Sequence, residues 1–148
     1  MTVLPFSRQD WIAKYQEDAY QAVFQAPMPS QAKQSFFDQA FVVLDDKKDP
    51  VIYCTVKQLT EKALFIEFGG SYPKFRSSPK VLKYFKGLCD YFKLAGADVV
   101  ALTTFNTNVP MQKLALAVGF IPMGVSISKD GLMIDYQLEF HNKGELKC

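Results

Sequence analysis

Two stretches of this sequence carry side chains able to do chemistry. Between residues 74 and 86 the chain gathers Lys74, Arg76, Lys80, Lys83 and Lys86 around Ser77-Ser78-Pro79. Ser78 reads as a helix N-cap, with Pro79 at the first helical position, where the lost N–H would have no intrahelical partner anyway. A helix start offers free N–H donors and the positive end of the helix dipole, a setting able to hold an anion, against the plainer reading that Ser78-Pro79 simply caps a helix. The alternative is a solvated basic helix face. Upstream, Glu67 precedes Gly69 and Ser71 by two and four residues in a strand-like run, a spacing that puts all three on one strand face. A carboxylate there can orient or take up a proton; the alternative is an exposed strand side chain. The single histidine, His141, falls in a polar tail, so histidine triads and metal sites find no support. Cys54, Cys89 and Cys148 are scattered and odd in number, which fits three free thiols in a reducing compartment better than a disulfide framework or zinc site.

The elements that must position these residues follow from composition and pattern. A chain of 148 residues is about one domain's worth, residues 1–148, with a polar tail from about 141. It can bury roughly two-thirds of its unfolded surface without disulfides or metals. Hydrophobic residues make up 49% and charged residues 22%, and the aromatic share of 14% predicts a large core. A net charge of +2 argues against a dedicated nucleic-acid binder, and the aromatics fall mostly at core periodicities rather than on a stacking surface. No apolar run approaches the roughly 20 residues of a membrane span. The start Met1-Thr2-Val3-Leu4-Pro5 has no signal-peptide character, so the expected location is cytoplasmic.

Helical spacing of Trp11, Ile12, Tyr15, Ala19, Ala22 and Val23 predicts a helix over about 8–25, capped by Ser7. Ser30 is expected to cap a short second helix running to about residue 39, with Phe36 and Phe37 turned inward. Strands are expected at 41–44, 51–59 and 63–68 as an antiparallel meander; residues 2–6 are open between strand and coil. A helix over 80–94 presents Val81, Leu82, Tyr84, Phe85, Leu88, Cys89 and Phe92 on one face and stops at Gly96. The apolar run 98–105 reads as a strand buried on both faces. A helix opened by Asn108 ends at Gly119, and strands 120–128 and 132–140 join at an Asp130-Gly131 hairpin turn. A buried central strand between helices makes this an α/β chain with a mixed sheet.

This element order, with two local motifs, resembles the GNAT superfamily of acyl-CoA-dependent N-acyltransferases over residues 8–140. Pro73, Phe75 and Arg76 fall into register with that family's run before its central helix, and Arg76-Ser77-Ser78-Pro79-Lys80-Val81 occupies its phosphate-loop positions. Asn108, Leu114, Gly119 and Phe120 match a second family pattern in spacing, with Met111 at a position that is commonly alanine. The resemblance implies a GNAT-like central mixed β-sheet flanked by about four helices. It implies acetyl-CoA as co-substrate, held by Ser71, Arg76, Ser77, Ser78, Lys80, Val81 and Asn108, with an amine as acceptor between the first helices and the sheet. The basic cluster suits the CoA phosphates. The backbone N–H of Ser71 would contact the acyl carbonyl, and Glu67 would orient or deprotonate the amine, directly or through water.

The chain departs from the family pattern in three places. Pro79 and Val81 stand where glycines are usual; proline lacks a donor and valine crowds a close approach. Ala115 stands where many members carry the tyrosine that protonates the departing thiolate. Thiols ionise readily, so expulsion without that acid remains chemically feasible. Two functions are therefore open: an acyl-CoA-dependent N-acyltransferase, and a catalytically inactive GNAT-like structural or interaction protein. Some small internal virion proteins of short-tailed phages look similar to the latter, which would place the chain in a virion. Protein partners and a homo-oligomer are compatible with either.

Overall fold

The computed structural model describes residues 1–140; the expectations for His141 and Cys148 lie outside the described residues. Thr2–Ser7 forms β1, an antiparallel partner of Gln39–Leu44 (β2), which decides the segment that the sequence pattern leaves open. Ser7 caps the first helical segment, its Oγ accepting from Asp10 N at 3.1 Å. The helical chain runs from Arg8–Asp10 (α1) through a π-helical turn, Trp11–Tyr15, into Gln16–Phe24 (α2). The second helix, Ser30–Gln34 (α3), is shorter than expected, and Pro29, not Ser30, holds the N-cap position: Ser30 is already the first helical residue and its hydroxyl makes no cap bond among the described residues. As a result only Phe37 turns inward. Phe36 is 57% exposed, because the pair lies on extended chain where neighbours point to opposite sides. Arg8 instead covers both rings, at 5.6 Å from each centroid.

The meander continues with Pro50–Thr60 (β3) and Ala63–Ser71 (β4). A 3-10 turn at Pro73–Phe75 leads into Pro79–Leu94 (α4), then Val99–Phe105 (β5), Val109–Val118 (α5), Ile121–Ser128 (β6) and Gly131–Glu139 (β7). The seven strands form one sheet in the order β1-β2-β3-β4-β5-β7-β6. Every pairing is antiparallel except that of β4 with β5, so the sheet is mixed, as the α/β reading predicts.

Alternation along β2 sorts the core into two layers. Phe41 and Val43 join Cys54, Val56, Leu102 and Tyr136 under α4 and α5, against Phe85, Leu88, Cys89 and Phe92. Ala40 and Val42 face the other way, with Tyr53, toward Trp11, Ala19 and Val23. This second layer draws no buried residue from β5, β6 or β7. The expectation that β5 is buried on both faces is corrected accordingly: Val100, Leu102 and Thr104 are buried, while Val99, Ala101 and Thr103 are half-buried on a side that no described helix covers. The face of α4 is as expected except at Leu82, which is 39% exposed. Gly96 and Gly131, at φ 108° and 137°, supply the left-handed backbone that ends α4 and turns the β6–β7 hairpin.

Candidate functional site

The one parallel pairing is also the shortest in the sheet. β4 and β5 are in register only from Ala63 opposite Val99 to Ile66 opposite Leu102. Beyond that point β4 continues along β3 alone, to Ser71 opposite Ile52, while β5 runs beside β7 as far as Phe105. The strands therefore splay, and among the described residues the edge of β4 from Glu67 to Ser71 faces the gap with no ladder on that side. Backbone donors and acceptors left this way call for a polar, extended partner. Two glycines line the stretch because neighbours approach closely. A Cβ on Gly69 would lie 2.6 Å from Tyr53 O, and one on Gly70 would lie 2.7 Å from Val23 Cγ1.

The splay coincides with a β-bulge. Thr55 pairs with Phe68 and Val56 with Ile66, so Glu67 is the extra residue. The bulge resets the alternation, and this corrects the expectation that Glu67 shares a face with Ser71. Glu67 pairs with Lys57 at 3.1 Å. Lys57 and Ile52, the partner of Ser71, are five residues apart on β3 and point to opposite faces. Glu67 thus lies on the α1–α2 side of the sheet, with its side chain 18% exposed and its carboxylate neutralised by a neighbour.

The loop before α4 is arranged differently from the sequence expectation. The guanidinium of Arg76 donates to Val23 O at the end of α2 and, at 3.5 Å, to Ser71 O. It ties α2 to β4 and does not stand as a free cation at the helix start. Ser78 is the N-cap of α4, its Oγ accepting from Lys80 N at 3.2 Å, while Val81 N donates to Ser78 O at 3.1 Å. With Pro79 lacking an N–H, the first turn of α4 thus has its own partners. Ser77 takes a left-handed φ of 63° and its N–H has no acceptor among the described residues, so it is the donor left over. Of the basic cluster, Lys74 bonds Asp49 at 2.7 Å, an interaction that lowers the carboxyl pKa of Asp49 and raises that of Lys74. Lys80 lies 5.5 Å from the Phe75 ring and Lys83 lies 5.7 Å from the Tyr84 ring, both with ammonium groups free of ion pairs among the described residues.

Asn108 is the N-cap of α5, its Oδ1 accepting from Met111 N at 3.3 Å. Gln112 ties the same helix to the end of β5, donating to Asn106 O at 2.7 Å. Ala115 is fully buried. That position faces the core under α5, so no side chain there reaches solvent or the gap.

One polar group escapes the sequence reading. Thr103 Oγ1 donates to Asp135 Oδ1 at 2.8 Å across β5 and β7. Both stand on the uncovered side of the sheet, the side that also carries Glu67. Alternation in the run 98–105 and in β7 would have placed Thr103 and Asp135 opposite the core; only the strand order brings them beside β4. Among the described residues no group of three histidine, cysteine, aspartate or glutamate side chains could hold a metal, and no helix is long and apolar enough to cross a membrane.

The sequence matches no protein-family model and no curated protein. Solved structures do match over nearly the whole chain. A GNAT family acetyltransferase from Elizabethkingia anophelis with acetyl-CoA bound superposes with a TM-score of 0.73 at 12% identity, covering 94% of this chain and 97% of that one. The IAA acetyltransferase from Bacillus cereus gives 0.71 at 11% identity, covering 94% and 100%. The ribosomal-protein-S18-alanine N-acetyltransferase from Escherichia coli gives 0.68 at 14% identity, covering 96% of each. The chain therefore has the GNAT fold.

Proposed function

We propose that this GNAT-fold chain is an acyl-CoA-dependent N-acyltransferase, with acetyl-CoA as co-substrate and an amine as acceptor. The observation that carries the reading is the splay of β4 from β5 at the Glu67 bulge, which leaves a strand edge of unpaired N–H and C=O groups open to an amide-containing acyl arm. Edge N–H groups between Glu67 and Ser71 would polarise the thioester carbonyl. The N–H and hydroxyl of Ser77, the hydroxyl of Ser78 and the ammonium of Lys80 would hold the pyrophosphate at the start of α4, with the chain turning at Val81. Arg76 and Asn108 enter as positioning residues: Arg76 fixes the loop to α2, and Asn108 caps the helix beside β5.

In the transfer, a neutral amine attacks the carbonyl carbon, the C–S bond breaks, and the electron pair leaves on sulfur. The amine proton passes to a carboxylate on the uncovered face, Glu67 directly or through water, with Asp135 beside Thr103 as the second acceptor there. Since Ala115 is buried, the thiolate leaves without an acid from α5. Supply of acetyl-CoA at 100 times its dissociation constant should stabilise the fold by about 2.7 kcal/mol. Lys80→Ala should weaken that shift, and an amine panel should release free thiol at a rate cut by Glu67→Gln. Absence of any thermal shift at millimolar acetyl-CoA would sink the reading.

A second reading is a GNAT-fold binding or structural module without catalysis. It is favoured by the self-capped first turn of α4, the engagement of Arg76 by Val23 O, and the buried Ala115. A CoA-induced shift without thiol release, or a stoichiometric protein complex with no CoA response, would select it.

A further inference from the structure

We propose that a cavity on the other side of the molecule's N-terminal half binds a small organic cation, an alkylammonium or quaternary ammonium group. The cavity lies between the helical face of 11–22 and strands β1 and β2, and measures about 330 Å³, within the range of small-ligand sites. Its walls include Phe6, Trp11, Tyr15 and Tyr72, with Val42 beneath and Asp18 at one side. Three of the rings gather closely: Phe6 is 4.8 Å from Tyr15 and 5.4 Å from Trp11, and Trp11 is 6.0 Å from Tyr15, centroid to centroid.

The helix spacing explains the assembly. Trp11, Tyr15, Asp18, Ala19 and Ala22 fall on one stripe, the one that faces the sheet. Asp18 is thus a carboxylate set into an otherwise apolar stripe, and among the described residues it is the only charged one lining the cavity. Its neighbours along the helix are paired, Glu17 with Lys33 at 2.6 Å and Asp10 with Lys14 at 4.0 Å, whereas Asp18 has no ion pair or hydrogen bond among the described residues. A ring face is electron-rich, so several rings with one unpaired carboxylate select a cation whose surface is partly apolar. Anions meet the wrong charge, and a neutral ligand leaves Asp18 unused.

The site shares no lining residue with the β4–β5 gap, and its occupancy does not depend on acyl transfer. Trp11 is the only tryptophan in the chain, so its emission reports the cavity directly. Titration with tetramethylammonium chloride, against sodium chloride at constant ionic strength, should give a saturable change with a midpoint on the order of millimolar. Neopentyl alcohol, a neutral molecule of similar shape, should leave the emission unchanged. Asp18→Asn and Tyr15→Leu should each weaken binding about tenfold. Asp18 is exposed and unpaired among the described residues, so the thermal midpoint of Asp18→Asn should hold and mark its loss as one of recognition, whereas Tyr15→Leu also removes ring contacts with Phe6 and Trp11 and should lower the midpoint. An alcohol that binds as tightly as the cation, an Asp18→Asn protein that binds undiminished, or no saturable response to the cation would overturn the assignment. Each result is read without CoA present and stands apart from the outcome of the acetyl-CoA titration.

Discussion

Cys54 and Cys89 sit in the layer under α4 as small apolar side chains, buried and unpaired in any disulfide. Desolvation pushes the Cys89 thiol up to about 12 and raises the Cys54 thiol further still. In the unfolded chain both would ionise near pH 9. Their folded pKa values are raised, so the native state keeps protons that the unfolded state releases. The thiols' contribution to stability is therefore constant below about pH 9 and falls above it, by about 1.4 kcal/mol per pH unit for each thiol until its folded pKa is reached. Urea midpoints measured from pH 8 to pH 10 should show that decline, and Cys54→Ala/Cys89→Ala should reduce it; above pH 10 the phenols of Tyr53 and Tyr72, whose pKa values burial also raises, add to the fall. A Cys148→Ser protein should likewise show no thiol titre with a disulfide reagent until it is unfolded.

At the scale of elements, the end of α2, the end of β4 and the loop before α4 form one fastened unit. Gly70 lets Val23 come against the strand, and Arg76 reaches back to donate to the carbonyl oxygens of Val23 and Ser71. Arg76 thereby shapes the gap from behind. Arg76→Ala should cost about 1 kcal/mol in denaturant unfolding and speed amide exchange at Gln25, whose N–H closes the last turn of α2 on Gln21 O. A substitution that left exchange unchanged while abolishing a CoA-induced thermal shift would instead return Arg76 to the phosphate loop.

For the molecule as a whole, the two faces of the sheet are unequally covered. Helices protect both sides of β2 and β3, but among the described residues β6 closes the sheet as an edge strand with all residues from Ile121 to Ile127 exposed and no charge among them. Native sheets usually guard such edges with lysine, proline or a bulge; here Pro122 and a bulge at Met123 guard one end only. Ile127, 86% exposed, should accept lysine within about 0.5 kcal/mol of the parent's stability, with heat-induced aggregation setting in at a higher temperature. A marked fall in the thermal midpoint would mean that β6 is covered in solution by another chain.

Much of this arrangement is legible in the chain itself. Helix starts at Ser7, Ser78 and Asn108, the stops at Gly96 and Gly119, and the hairpin at Gly131 are local matters of capping and positive φ, which adjacent residues determine without reference to the rest of the fold. Core faces of α4 and of the strands come from periodicity for the same reason. The site is less legible because its decisive features are relations between distant segments. Which strand lies beside β4, where their ladder stops, and that Glu67 is the extra residue of a bulge depend on pairing partners well separated along the chain, as do the Lys57 bond to Glu67 and the Thr103 bond to Asp135. Arg76 is the sharpest case: its charge and loop position suggest a phosphate ligand, and only the packing of α2, 53 residues earlier, gives its guanidinium carbonyl oxygens to bind. Local backbone energetics set the elements; competition among distant polar groups for partners set the roles.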